Sequence, residues 1–186
     1  MPTVILRPDA ISSSTGFDLS GTALQEAISD GGAATTAIQN NVTAVFTCTF
    51  GNNAAYTGGT INSMVVSVVG GSTGRGTPEA DLILYTEDEI VLEEVTLTFA
   101  GGASTQTGNT ITEDAEGDAL TPDVVDGMFM VFDPNSTGML VAELFVTVDY
   151  TAGASGYTHA VNGVAAASIH SVKLIATSNI SKVNNV

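Results

Sequence analysis

The stretch AELFVTVDY, residues 142–150, alternates so regularly that it fixes the kind of chain this is. Ala142, Leu144, Val146, Val148 and Tyr150 fall on one side and Glu143, Thr147 and Asp149 on the other. A helix would spread that apolar set around its circumference, whereas a strand gathers it on one face. EEVTLTFA (93–100) repeats the pattern, with Val95, Leu97 and Phe99 set against Thr96 and Thr98, and AVFTCTF (44–50) aligns Phe46, Cys48 and Phe50. Three more runs, SMVVSVVGG, ADLILYT and GMFMVFD, are apolar at nearly every position, as strands covered on both faces are. Turn chemistry separates the runs: GNN at 51, GG at 58, 70 and 101, GRGTPE at 74, TEDE at 86 and DPNSTG at 133. Short β-branched strands divided by Gly-rich turns predict an all-β, antiparallel two-sheet sandwich and exclude an α/β fold.

Two segments depart from the strand pattern. SGTALQEAISD (20–30) sets Leu24, Ala27 and Ile28 at helical spacing, with Ser20 or Thr22 as cap and Gln25 or Glu26 to complete a capping box. TPDVVDG (121–127) predicts a further helical turn, with Thr121 as N-cap and Pro122 at the first helical position. TAGASG (151–156) is a flexible joint. The expected organisation is a sandwich over 1–150, a linker over 151–156 and a separate tail over 157–186.

Composition narrows the partners. Only 13% of the 186 residues are charged, and four bases face twenty acids for a net charge of −16. Such a field repels phosphate, which excludes nucleic acid and anionic membrane surfaces as partners. The single Cys48 has no internal disulfide partner and sits in strand pattern, as a small buried residue and not a nucleophile. The opening MPTVILRPD lacks the basic segment and apolar run of a signal peptide, so the expectation is synthesis in a reducing cytosol.

Residues 4–30, VILRPDAISSSTGFDLSGTALQEAISD, resemble the start of a group of virion proteins of tailed phages, often marine ones. That group opens with a strand, an R-P-D turn, a T-G-aromatic stretch and an L-x-x-A-I-x-D/E helix. The matching positions are Arg7, Pro8, Asp9, Thr15, Gly16, Phe17, Leu24, Ala27, Ile28 and Asp30, with Phe17 where a Trp is usual. The resemblance extends to the strand VAELFVTVDY and to a VNGVA-type terminal repeat. It implies a jelly-roll-like sandwich, synthesis in the host cytoplasm and a place on the outer surface of a virion. The expected role is capsid decoration or cement on a phage head, with a tail or fibre component binding host-surface glycans as the alternative. The implied partners are other copies of the chain, a trimer by the rotational symmetry of lattice sites, and virion proteins such as the major capsid protein.

Side chains able to do chemistry are few. His159 and His170 are the only imidazoles and both lie in the tail. Glu93 and Glu94, adjacent on a strand, point to opposite faces and cannot act as a close pair. No catalytic residue and no cofactor is expected. TEDAEGDAL places Asp114, Glu116 and Asp118 at alternate positions, hard oxygen ligands suited to calcium, but without the length or terminal Glu of an EF-hand; an acidic loop is the plainer reading. Glycan recognition needs exposed rings. With Tyr56, Tyr85, Tyr150, Tyr157 and seven Phe to draw on, most Phe facing inward, Tyr56 in NNAAYTGG is the contact candidate.

The tail repeats every eleven residues: Val161, Val172 and Val183 fall in step, as do Val164, Ile175 and Val186, and Ile169 with Ile180. These eight residues form the expected assembly interface. An eleven-residue period also suits a helix stripe, but Ser, Asn, Thr and Val are poor helix formers, and Asn162–Gly163 is a hairpin turn signal, with Asn184–Asn185 its weaker echo. Extended structure is expected, packed on a neighbouring copy or the virion lattice by strand addition, or else folded back as an added edge strand. Removing residues 157–186 is expected to abolish the oligomeric state and attachment to particles, as sedimentation of the truncated chain and particle co-pelleting would report.

Overall fold

The structure, a computed structural model, describes residues 2–13, 17–18, 38–40, 45–74, 76–153, 171–172 and 175–176. Six strands, β1 (Thr3–Leu6), β3 (Phe17–Asp18), β4 (Ile38–Asn40), β6 (Thr60–Ser72), β9 (Ser104–Ile111) and β11 (Met139–Thr151), make one sheet in the order β3-β4-β11-β6-β9, with β1 also on β11. Five more, β2 (Pro8–Ser13), β5 (Phe46–Phe50), β7 (Glu79–Tyr85), β8 (Val91–Thr98) and β10 (Phe129–Pro134), make the second sheet in the order β2-β5-β10-β7-β8. Every pairing in both sheets is antiparallel. The architecture is the jelly-roll-like β-sandwich expected from the sequence. Among the described residues no helix is long and apolar enough to cross a membrane.

The alternation that marked the strands is what closes the sandwich. From the six-stranded sheet Met64, Val66, Val68, Leu144, Val146 and Val148 point inward and are buried. From the five-stranded sheet Phe46, Cys48, Phe50, Leu82, Leu84, Met130 and Phe132 meet them, also buried. Each such side chain contributes roughly 1.5–3 kcal/mol relative to exposure, and the β-branched residues of β6 and β11 suit the pleated surface between. Those two 13-residue strands pair along nearly their whole length, from Thr60↔Thr151 to Ser72↔Met139, with register shifts at Val141/Glu143 and Asp149/Tyr150.

Three rings anchor the interior. Phe46 stacks on Phe132 with centroids 5.1 Å apart, and Phe99 meets Phe132 edge-on at 6.5 Å. Gly70, expected from its GG doublet to lie in a turn, is instead inside β6, which continues to Ser72. The reason is crowding: a Cβ at Gly70 would stand 2.7 Å from Phe99 Cε1 and 2.6 Å from the Leu140 carbonyl oxygen. The doublet is there for close approach, not reversal.

The helical turn at 121–127 forms as expected. Helix α1 (Pro122–Asp126) starts with Pro122, and the Thr121 hydroxyl accepts the Val124 N–H at 3.3 Å, relieving an unpaired donor at the helix start. The helix expected over 20–30 lies outside the described residues. Arg7, at the crossing from β1 to β2, donates through Nε to Glu143 Oε1 at 2.9 Å, and Glu143 is buried. Gly70→Ala is expected to lower stability by about 1–3 kcal/mol, the cost of overpacking, seen as a lower urea midpoint with an unchanged slope.

Candidate functional site

The three runs apolar at nearly every position had suggested strands covered on both faces; for β7 and β10 the second face is a surface. Leu82, Leu84, Met130 and Phe132 are in the core, while Ile83, Tyr85, Phe129 and Val131 point the other way and are half-buried. The ladder sets these outward residues in rows. Thr49, Phe129, Tyr85 and Val91 form one row across β5, β10, β7 and β8, and Thr47, Val131, Ile83 and Glu94 form the next. Asp133, Asp81 and Thr96 follow.

Tyr85 and Phe129 are direct cross-strand partners and their rings stack, centroids 5.0 Å apart and 11° from parallel. Such a pair contributes about 0.5–1.5 kcal/mol beyond burial and holds both rings in fixed orientation. The turn between β7 and β8 raises more apolar surface beside them: Ile90 and Val91 are 39% and 43% exposed. Thr86 N donates to the Ile90 carbonyl and Glu89 N to the Thr86 carbonyl, with Glu89 in the left-handed region at φ 61°. Polar groups edge the strip at its two ends: beside the rings the Thr49 hydroxyl donates to Asp9 Oδ1 at 2.8 Å, and four residues along β7 the Thr96 hydroxyl donates to Asp81 Oδ1 at 2.6 Å. A preformed apolar strip edged by hydroxyls and carboxylates results.

Tyr56, the sequence candidate for glycan contact, is corrected. It is 0% exposed, and its hydroxyl donates to Asp126 Oδ1 at 2.6 Å while its ring lies edge-on to Tyr150 at 6.3 Å. Burial, reinforced by the Asp126 carboxylate, pushes its phenol well above the usual tyrosine range. Its role is to pin the 51–59 loop to α1, the segment that leads into Phe129.

Asp114, Glu116 and Asp118 do not gather around a point. Asp114 Oδ1 accepts the backbone N–H groups of Glu116 at 3.0 Å and Asp118 at 2.8 Å, so its carboxylate is engaged by its own loop, which turns at Gly117 with φ 86°. Among the described residues no three potential ligands converge on a metal position. Glu93 and Glu94 do diverge: Glu94 is exposed on the outer face, and Glu93 accepts from the Asn109 backbone and side-chain amides at 3.0 and 2.7 Å. Cys48 is buried in β5, its thiol raised well above the usual range by burial and secondarily by Asp9, so it is no nucleophile.

Of the eight tail residues proposed for assembly, only Val172 and Ile175 are described. They are register partners in an antiparallel pair of β12 (Ser171–Val172) and β13 (Ile175–Ala176). Val161, Val164, Ile169, Ile180, Val183 and Val186, with both histidines and the Asn-Gly and Asn-Asn doublets, lie outside the described residues. A cleft of about 250 Å³ opens elsewhere, among Ser72, Thr73, Thr77, Ser136 and Thr137. Three of these hydroxyls bond to neighbouring backbone: Ser72 Oγ donates to the Gly74 carbonyl at 3.3 Å, Thr73 Oγ1 donates to the Gly138 carbonyl at 3.0 Å, and Ser136 Oγ accepts from Glu79 N at 3.0 Å. No ring lines it, so the outer sheet face is the stronger candidate.

Tyr85 and Phe129 escaped the sequence reading although a signal was present. In a two-layer antiparallel sandwich each strand has one covered face, so a strand apolar on both alternating sets must show one of them.

No protein-family model matches the sequence, and no curated protein matches it at a significant level. Among solved structures the chain is similar to the C-terminal CBM6 of LamC, a marine laminarinase from Zobellia galactanivorans, at 14% identity over 79% of this chain and 98% of that one, with TM-score 0.46. It is also similar to a family 35 carbohydrate binding module from Clostridium thermocellum, at 8% identity over 80% and 98% of the two chains, TM-score 0.44. A third is the carbohydrate binding module CBM6cm-2 of Cellvibrio mixtus lichenase 5A in complex with cellotriose, at 12% identity over 80% and 97%, TM-score 0.43. Likenesses of this degree say nothing about the ligand of this chain.

Tyr56→Phe is expected to cost about 1–2 kcal/mol by leaving Asp126 without its donor, read as a lower denaturant midpoint. Cys48 makes stability fall at alkaline pH. Its folded pKa is raised, so the unfolded state alone loses the proton above about pH 8.5, and stability drops by up to about 1.4 kcal/mol per pH unit. Cys48→Ala should flatten that slope between roughly pH 8.5 and 10, measured by denaturation at each pH.

Proposed function

We propose that this chain is a non-catalytic carbohydrate-recognition module whose ligand lies along the outward face of the five-stranded sheet. The observation that carries the reading is the Tyr85–Phe129 pair: two rings in direct cross-strand register on a solvent-facing surface, where the core needs neither of them. Sugar rings present apolar C–H faces bordered by hydroxyls. An aromatic strip bordered by Thr47, Thr49, Thr96 and Asp81 is complementary to that mixture. The strip sits on a hydrogen-bonded sheet, so little freedom is lost when a ligand settles on it.

In this reading the module is displayed on a virion as a tail or fibre component facing host-surface glycans, a setting supported by the resemblance over residues 4–30. A second reading, capsid decoration, draws on a different part of the chain. Its support is the antiparallel pairing of Ser171–Val172 with Ile175–Ala176, the extended structure that strand addition to a neighbouring copy requires.

A glycan array probed with the full chain tests the first reading. Binding is expected, and Phe129→Ala and Tyr85→Ala are each expected to weaken it about tenfold, since a ring burying apolar area against a sugar contributes on the order of 1–2 kcal/mol. Tyr85→Phe should retain it. An array with no bound glycan, or binding indifferent to both alanine substitutions while the variants stay folded, would refute the proposal.

A further inference from the structure

Resting on the reading of this face as a glycan surface, the charge around it selects among glycans. The strands of the five-stranded sheet contain no Lys, Arg or His, yet they carry Asp9, Glu79, Asp81, Glu93, Glu94 and Asp133. Of these, Asp9, Glu79 and Glu94 are exposed, Asp81 and Asp133 are half-buried on the outward face, and only Glu93 is turned toward β9. The adjoining turn adds exposed Glu87, Asp88 and Glu89. A sulfated or uronic polysaccharide laid along the strip would meet like charge, with no base among the strand residues beneath it. A second copy of this chain, the other occupant an apolar strip invites, would set the same carboxylates against each other.

The order of residues along the strands gives the acids a place relative to the rings. Moving from Tyr85 and Phe129 along β7 and β10, the outward pairs are Ile83 with Val131, then Asp81 with Asp133. Four residues of extended strand put the carboxylate pair about 13 Å from the aromatic pair, so a ligand reaching both is a chain of linked sugars. Asp81 and Asp133 are directly opposed, an arrangement of like charges that destabilises a sheet by itself. Thr96 donates to Asp81 Oδ1 at 2.6 Å. A cation placed between the two carboxylates relieves their repulsion, and a ligand that stacks on the rings and carries that cation satisfies both halves of the strip.

We propose that the ligand is an oligosaccharide bearing free amino groups, its ring faces on Tyr85 and Phe129 and an ammonium group at Asp81 and Asp133. The carboxylates act as specificity determinants and the rings as the common platform.

The test compares four oligosaccharides of equal length by calorimetry, at a pH where amines are protonated: β-1,4-linked glucosamine, N-acetylglucosamine, glucose, and an oligouronate. The glucosamine oligomer is expected to bind about tenfold tighter than the glucose oligomer, a preference that ion pairs with two half-buried carboxylates can supply. That advantage should shrink as salt is raised, and the oligouronate should bind weakest. Asp81→Asn with Asp133→Asn should remove the preference, bringing the glucosamine oligomer down to the level at which the same variant binds the glucose oligomer. A control pair away from the strip, Glu116→Gln with Asp118→Asn, should alter neither. Equal binding of glucosamine and glucose oligomers by the unaltered chain overturns the amino-sugar inference and leaves the glycan surface standing. Glucosamine binding that survives Phe129→Ala, or falls equally with the control pair, also overturns it, because attraction to the chain's net charge then suffices. No binding by any of the four removes this inference, and an empty glycan array the surface with it.

Discussion

Phe132 is the side chain on which the two layers close. Its ring takes Phe46 on one face and the edge of Phe99 on another side, tying β5, β10 and the end of β8 into one aromatic cluster. Phe99 in turn occupies the space that Gly70 leaves by lacking a Cβ, so the cluster reaches across to the opposite sheet. Rings of this size bury more apolar area than any other residues available in a chain without Trp. Once β10 is held from inside at Phe132, its other alternating positions, Phe129 and Val131, must face outward. The surface follows from the interior.

That link between interior and surface also marks how far the sequence could be read. Single alternation was decisive: Val146, Leu97 and Cys48 all face inward as their spacing requires, because water penalises the opposite register at every second residue. Thr121 and Pro122 were equally plain, since a cap and a first-turn proline are local chemistry. Double alternation was not decisive. ADLILYT and GMFMVFD offer two apolar sets each, and no property of the strand itself says which layer, if any, covers the second. Gly70 was misplaced for a related reason: a glycine required by a ring some thirty positions later is identical, in sequence, to one required by a turn. Tyr56 carries no periodic signature at all, and the Asp126 that makes it structural lies 70 residues away.

Charge and hydroxyls complete the account of the outer face. A low density of charge, almost wholly of one sign, leaves Thr and Ser as the main hydrogen-bonding side chains of the strands, and several are already tethered to acids, as Thr96 is to Asp81 and Thr49 to Asp9. Those tethers orient the carboxylates before any ligand arrives, lowering the ordering cost of recognition. They also explain how a sheet tolerates so many acids. A hydroxyl donated to a carboxylate spreads its charge without adding a base.

The bulge that interrupts β9 between the partners of Val65 and Ser67 leaves the Asn109 amide off the ladder, and Glu93 takes it up together with the Asn109 side chain. The bond joins the outermost strands of the two layers along one flank of the sandwich. A stray strand approaching that flank finds a backbone donor already claimed and a carboxylate in the way, so growth into fibres by edge pairing is blocked there. Crowded copies can stand side by side without zipping together.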